Sequence, residues 1–184
     1  KKTGYIFKIL KEKNVQTTFF LSASWAERHP EIVKRIKEDG HEIGHHGYRY
    51  ESYPSWDDEK IMRDIRTGGQ ILTELTGTQP TLLRPPHGHF DKRTLNISDK
   101  LGYSIVHWSV DTKDWENPGV EVIIQETLEN ANKGDVILLH ASDSAKQTHK
   151  ALPQILEQMK NKGYEFVTVS ELIASTRTKS EEIK

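Results

Sequence analysis

The chain has 184 residues, 34% hydrophobic and 29% charged, with a formal net charge of -1 and no cysteine. The near-neutral balance gives no reason to expect a nucleic-acid partner, and the lack of cysteine excludes disulfides and Cys-ligated zinc while leaving the compartment open. No apolar run approaches the roughly 18 residues that a membrane-spanning helix needs. Tyr5, Ile6, Ile9 and Leu10 have helical spacing, with Asn14 as a stop. Val15 to Leu21 is a strand candidate. Pro30 opens a second helix with Ile32, Val33 and Ile36 inward, ended by Asp39-Gly40. His41 to His46 follows as a short strand. Ser55 with Asp58 three residues on resembles a capping box, starting a long helix that bears Ile61, Ile65, Leu72 and Leu75 and closes at Gly77.

Thr81-Leu82-Leu83 leads into Arg84, where Pro85 and Pro86 must end the strand. Asp91 to Leu101 is predicted as a helix and Ser104 to Val110 as a strand. Val120, Ile123, Ile124 and Leu128 mark another helix, and Asp135 to Leu139 an apolar strand. Leu152, Ile155, Leu156 and Met159 give one helix face, stopped by Gly163, before a last strand over Tyr164 to Val169. The polar segment from Thr176 is expected to fray. The organisation is thus one domain over residues 1–175 and a polar tail over 176–184. Six strands alternating with helices indicate an α/β fold of βαβ units around a parallel sheet.

Four segments close strand-like runs: Gly44-His45-His46-Gly47-Tyr48-Arg49-Tyr50, Arg84-Pro85-Pro86-His87-Gly88, Asp111-Thr112-Lys113-Asp114-Trp115 and Leu138-Leu139-His140. Carboxyl ends of strands are the rim that carries chemistry in barrel enzymes. In this order the segments resemble the motifs of the polysaccharide deacetylase family, the NodB-homology domain or carbohydrate esterase family 4, which removes N-acetyl groups from amino sugars. The resemblance implies a distorted (β/α) barrel of seven to eight strands, and it spans Val15 to Leu172. The family's first strand, which ends in a Thr-Phe-Asp-Asp-Gly motif carrying the base and one metal ligand, is absent from this chain. No leader is visible, and the first residues read as the middle of a domain.

The resemblance also implies roles. The family's divalent metal, zinc or similar, is held by an Asp of the missing strand and by a His-x-x-x-His pair. His46 matches the first histidine, and the second position is Tyr50, whose phenol has a pKa near 10 and ligates a divalent cation poorly at neutral pH. Metal binding is therefore expected to be weak or absent, with His46 either a hydrogen-bonded rim histidine or a ligand, through weak binding or with His87 or His89 recruited. Adjacent strand residues point to opposite faces, so His45 is no easy substitute. Arg84 matches an arginine that ion-pairs with the catalytic Asp. Pro86 stiffens its loop, the N–H of His87 stands where the family has an oxyanion donor, and Gly88 lets backbone approach a ligand. Asp114 is implied to orient the catalytic histidine, Trp115 to form a wall against the sugar, Leu138 to line the acetyl pocket, and His140 to be the general acid. Tyr50 joins Trp115, Leu138, Pro86, His87 and Gly88 as a substrate-contact candidate. His29, His41 and His149 are expected at the surface, and His107 within a strand.

Two functions stay open. One is a divergent deacetylase of N-acetylglucosamine-containing cell-wall polymers. The other is a non-catalytic carbohydrate-binding or scaffolding protein that keeps the groove around Trp115. An unrelated barrel hydrolase with a His-rich rim is a third reading. The phrase Thr18 to Arg28 further resembles a sporulation-associated subgroup from Bacillus-like bacteria. The family implies a cell-surface or extracellular location and a carbohydrate partner, and a monomer is expected.

Overall fold

The computed structural model describes residues 2–182. The chain divides into two compact units: Thr18–His107, and Lys1–Thr17 together with Trp108–Lys184. The chain opens with helix α1 (Lys2–Glu12), which buries Ile6, Phe7 and Leu10. It stops where Asn14 takes a left-handed φ of 52°, a conformation asparagine tolerates better than most residues.

The Thr18–His107 unit holds a four-stranded parallel sheet in the order β1-β2-β3-β4, made of β1 (Thr18–Leu21), β2 (Glu42–His45), β3 (Leu82–Leu83) and β4 (Ser104–Ile105). Parallel neighbours require crossovers. These are α2 (Ala23–Arg28) with α3 (Pro30–Glu38), then α4 (Asp58–Thr76), then α5 (Lys92–Lys100). The register pairs Leu21 with His45, His45 with Leu83, and Leu83 with Ile105. Tyr53, Trp56, Ile61, Ile65, Leu83, Ile97 and Tyr103 form its buried cluster, each aliphatic member worth roughly 1.5–3 kcal/mol of burial.

In the other unit β5 (Val110–Asp111) and β6 (Ile137–Leu138) pair in parallel, Val110 with Ile137 and Asp111 with Leu138. Helices α6 (Val120–Asn130) and α7 (Thr148–Asn161) pack over them, and α8 (Val169–Glu182) ends the described chain. Val110, Ile123, Ile124, Ala131, Ala151, Ile155 and Met159 are its core.

The α/β class and parallel pairing hold, and several elements differ from expectation. The Ser104–Val110 strand breaks in two because Val106 and His107 give their carbonyls to the Arg84 guanidinium, at 3.3 and 2.9 Å, instead of to a ladder. His107 is exposed in that gap. Tyr164–Val169 alternates in burial like a strand, with Tyr164 and Phe166 packed on the core, yet it joins no ladder among the described residues. The polar tail from Thr176 continues α8 as far as Glu182, and its last two residues lie outside the described residues. The long helix is capped by Asp57, which accepts from the Lys60 N–H, rather than by Ser55, whose hydroxyl turns back to the Ser52 carbonyl. Helix α2 was not legible, and His41 is buried against the edge of Phe19.

Candidate active site

His45 is the last residue of β2, and His46 is the first beyond it. His45 is fully buried (0% exposed). Its Nδ1 accepts from the Gly47 N–H at 3.0 Å, so its Nε2–H donates to the Ile65 carbonyl at 2.8 Å. Both ring nitrogens are spent, and burial keeps the ring neutral by lowering its pKa. Of two adjacent glycines of α4, Gly68 makes room for His45 and Gly69 for Tyr103. A Cβ on Gly68 would run into the His45 ring, and one on Gly69 into the Tyr103 hydroxyl. His45 is therefore a structural residue and unavailable to a metal.

The His46 Nδ1–H donates to the Arg84 carbonyl at 2.6 Å, which leaves Nε2 as a free lone pair. A carbonyl behind one nitrogen is the arrangement that fixes the tautomer of a metal-binding histidine. Burial drives its pKa down to about 4, opposed by that carbonyl bond and reinforced by the positive charge of Arg84. The folded state thus binds this proton less readily than the unfolded chain. Stability from this group is full above about pH 6.5 and is lost as pH falls toward 4. In chelator-treated protein we expect a loss on the order of 2–3 kcal/mol over that window. His46→Asn, whose side-chain amide can still donate to the Arg84 carbonyl, should flatten this part of a urea-unfolding profile against pH. An unchanged slope would mean that His46 does not carry it.

After His46 the chain turns at Gly47, with φ 78° and a site where a Cβ would stand 2.9 Å from Pro86. The next residues are held by Asp64 of α4, which sequence reasoning missed. Its carboxylate accepts from the Tyr48 N–H (2.9 Å), the Arg49 N–H (3.2 Å) and the Tyr53 hydroxyl (2.7 Å). Burial, followed by the Asp64 charge, raises the Tyr53 pKa and keeps the phenol a donor. This anchored loop presents Tyr50, 53% exposed. The Tyr50 ring lies 5.3 Å from that of His46 and 4.1 Å from that of His87, and His87 in turn is 5.7 Å from His89.

Arg84 is buried, and its pKa is lowered by burial to about 10, which leaves it cationic. Besides the two carbonyls at the end of β4, it lies 4.2 Å over the Phe20 ring. Its side chain thereby ties β1 and the end of β4 to the loop that follows β3. In that loop Pro86–Gly88 forms a 3-10 turn with His87 at φ 60° and Gly88 at φ 70°. A histidine held left-handed stores strain of about 1 kcal/mol, sustained by the two prolines before it.

The second cluster lies in the other unit. Lys113, left-handed at φ 54°, turns the chain after β5 so that Asp114 is fully buried (0% exposed) while Trp115 is 52% exposed. Asp114 Oδ1 accepts from His140 Nδ1 at 2.7 Å, and Oδ2 accepts from the His140 backbone N–H at 2.7 Å and the Thr148 hydroxyl at 2.6 Å. His140 follows β6 with its side chain 35% exposed. With Nδ1 engaged, Nε2 is the nitrogen left for proton transfer. Leu138, two residues before His140, is buried, and its carbonyl accepts from the Thr112 hydroxyl at 2.9 Å. Asn117 accepts from the Lys146 N–H at 2.6 Å and donates to the Ser144 carbonyl at 3.1 Å, tying the loop after Trp115 to the segment that follows His140.

The expected residues therefore fall into two groups. His46, Tyr50, Arg84, Pro86, His87 and Gly88 gather in one unit, and Asp114, Trp115, Leu138 and His140 in the other. A catalytic zinc needs three protein ligands. Among the described residues no three His, Cys, Asp or Glu side chains gather to hold a metal, and His46 supplies one suitably oriented nitrogen. This donor set does not fit the family's metal. A shallow cavity of about 450 Å³ opens beside α4, lined in part by Gly69, Gln70, Leu101 and Tyr103. It contains none of the chemically poised groups above and is not the site.

The family model described as polysaccharide deacetylase matches residues 1–106. A peptidoglycan-N-acetylglucosamine deacetylase of Bacillus cereus is 37% identical over 174 residues, covering 93% of this chain and 81% of that protein. The chain spans 64% of a second deacetylase of the same name and organism, 35% identical to it. Among solved structures, a peptidoglycan N-acetylglucosamine deacetylase bound to an N-oxidanyl-benzamide aligns at TM-score 0.91 and 35% identity, over 94% of this chain and 81% of that one. A CE4 family pseudoenzyme from Bacillus anthracis aligns at TM-score 0.88 and 26% identity, over 93% and 60%. A mutant of that pseudoenzyme with restored enzymatic activity aligns equally well, at TM-score 0.88 and 27% identity, over 93% and 62%.

Proposed function

The chain belongs to the polysaccharide deacetylase family, and from that premise we propose that it engages an N-acetylglucosamine-containing polymer of the cell wall as a deacetylase-type hydrolase of reduced turnover. The observation that carries the hydrolase reading is the His140–Asp114 pair at 2.7 Å, with its imidazole partly open to solvent. Such a group can deliver a proton from Nε2 to the amine that leaves when an acetamide is cleaved. The remaining roles follow the family's motifs. The His87 N–H is assigned as oxyanion donor, Leu138 as a wall for the acetyl methyl, Trp115 as a surface for the apolar face of a sugar ring, and Tyr50, Pro86 and Gly88 as further substrate contacts. Arg84 is assigned an electrostatic role through its buried charge. The family's metal supplies a Lewis acid and an activated water when bound. Among the described residues His46 alone is poised for it, and no step is assigned to it.

Tyr50 at the second histidine position supports the reduced turnover, and the likeness to a pseudoenzyme agrees with it. The same residue favours the second reading, a carbohydrate-binding protein without catalysis. A cell-surface or extracellular location and a monomeric state complete the proposal.

Acetate release from N-acetylglucosamine oligomers, measured with added zinc alongside oligomer binding, separates the readings. We expect saturable binding that Trp115→Ala weakens, weak zinc binding, and little acetate. Tyr50→His should raise zinc affinity only modestly. Robust acetate release or tight stoichiometric zinc in the unmodified chain would overturn the reduced-turnover proposal, and absence of oligomer binding would overturn the substrate class.

A further inference from the structure

Thr148 is the first residue of α7, and its side chain is 1% exposed. Three threonines further along their helices give their hydroxyls to the carbonyl one turn back, Thr73 to Gly69, Thr76 to Leu72 and Thr127 to Ile123, while Thr94 near the start of α5 donates to the Asp91 side chain only three residues before it. Thr148 instead donates to Asp114 Oδ2 across 34 residues of sequence. An ionised carboxylate only accepts, so the hydroxyl must be the donor, and such charge-assisted bonds are short and strong.

The terminal torsion of an aspartate is broad and roughly two-fold, so one hydrogen bond from an imidazole does not hold its plane. Here the Thr148 hydroxyl and the His140 backbone N–H both claim Oδ2, at 2.6 and 2.7 Å. Oδ1 is thereby left to His140 Nδ1 alone. We propose that Thr148 is a positioning residue of the acid: it fixes the Asp114 carboxylate, which in turn holds His140 by its Nδ1–H, so that Nε2 is the nitrogen that takes up a proton and then delivers it. The inference rests on the reading of His140 as proton donor, but its test does not require turnover.

The test is nitrogen-15 NMR of the His140 side chain in the full chain, reading the tautomer and the solvent exchange of Nδ1–H. Thr148→Val keeps the shape and removes the donor, and we expect Nδ1–H exchange to speed at least tenfold and the two tautomers to mix. Thr148→Ser keeps the hydroxyl and should restore the native pattern. Native tautomer and exchange in Thr148→Val would overturn the proposal. If Thr148→Val does not fold, Thr148→Ser decides: native-like exchange supports action through the hydroxyl, and accelerated exchange shows that the methyl's packing mattered and overturns it. Where acetate release is measurable, Thr148→Val should lower kcat with KM unchanged. A native NMR pattern in both variants with no acetate release in any protein would instead point to a pair held without Thr148 and to a failed hydrolase reading.

Discussion

Replacing Asp64 with alanine is expected to lower the unfolding free energy by about 3–5 kcal/mol. Asp64 is buried, and three donors converge on it: the N–H groups of Tyr48 and Arg49 and the hydroxyl of Tyr53, the last within the core. Each buried donor left without an acceptor costs roughly 1–3 kcal/mol, and Tyr53, 0% exposed, cannot turn its hydroxyl to water. Asp64→Asn should cost less, because one carbonyl oxygen remains, but its amide hydrogens would face donors. Urea unfolding at pH 7 gives the magnitude. A second readout is the Tyr50 ring, which the same loop carries: its NMR shifts and its contact with His87 should change in Asp64→Asn while the α7 resonances do not. A loss under 1 kcal/mol in Asp64→Ala would show that water replaces the carboxylate and that the loop is not held from α4.

The sequence made the ends of strands legible and the supports behind them obscure. His46, Arg84, Asp114 and His140 stand out because each closes an apolar run, and the residue types around them are uncommon by chance. Asp64 and Thr148 give no such signal. Each is a single polar residue on an amphipathic helix, 16 residues from Tyr48 and 34 from Asp114, and nothing local distinguishes it from a solvent-facing one. The same limit explains the misread elements. Tyr164 to Val169 has a strand's alternation, but alternation reports burial on one face and not the presence of a ladder partner. Ser104 to Val110 has a strand's composition, but the Arg84 guanidinium competes for its carbonyls. His41 looked like a surface histidine from its polar neighbours and is buried by Phe19. His45 closes β2 with both ring nitrogens engaged, whereas His46 lies just past the strand, so strand alternation alone does not separate the two.

Asp114→Asn is expected to have the largest effect on the chemistry, lowering whatever acetate release the chain supports by about a hundredfold or more, the usual range for loss of general acid catalysis. The substitution keeps shape and volume but replaces an acceptor-only group with one that also donates. If the amide oxygen stays on His140 Nδ1, the new amide hydrogens face the His140 N–H and the Thr148 hydroxyl. If the amide flips, they face Nδ1 and drive the imidazole toward the tautomer in which Nε2 carries the hydrogen. Either arrangement leaves a buried mismatch, and a stability loss of about 2–3 kcal/mol should accompany it. Trp115→Ala is the contrast, since its side chain is 52% exposed: oligomer affinity should fall while stability stays within about 0.5 kcal/mol of the parent. An Asp114→Asn protein with native stability and the native His140 tautomer would remove the orienting role. A protein that loses stability but keeps the tautomer would make Asp114 a structural anchor for the end of β6, and the proton donor would then have to be sought elsewhere.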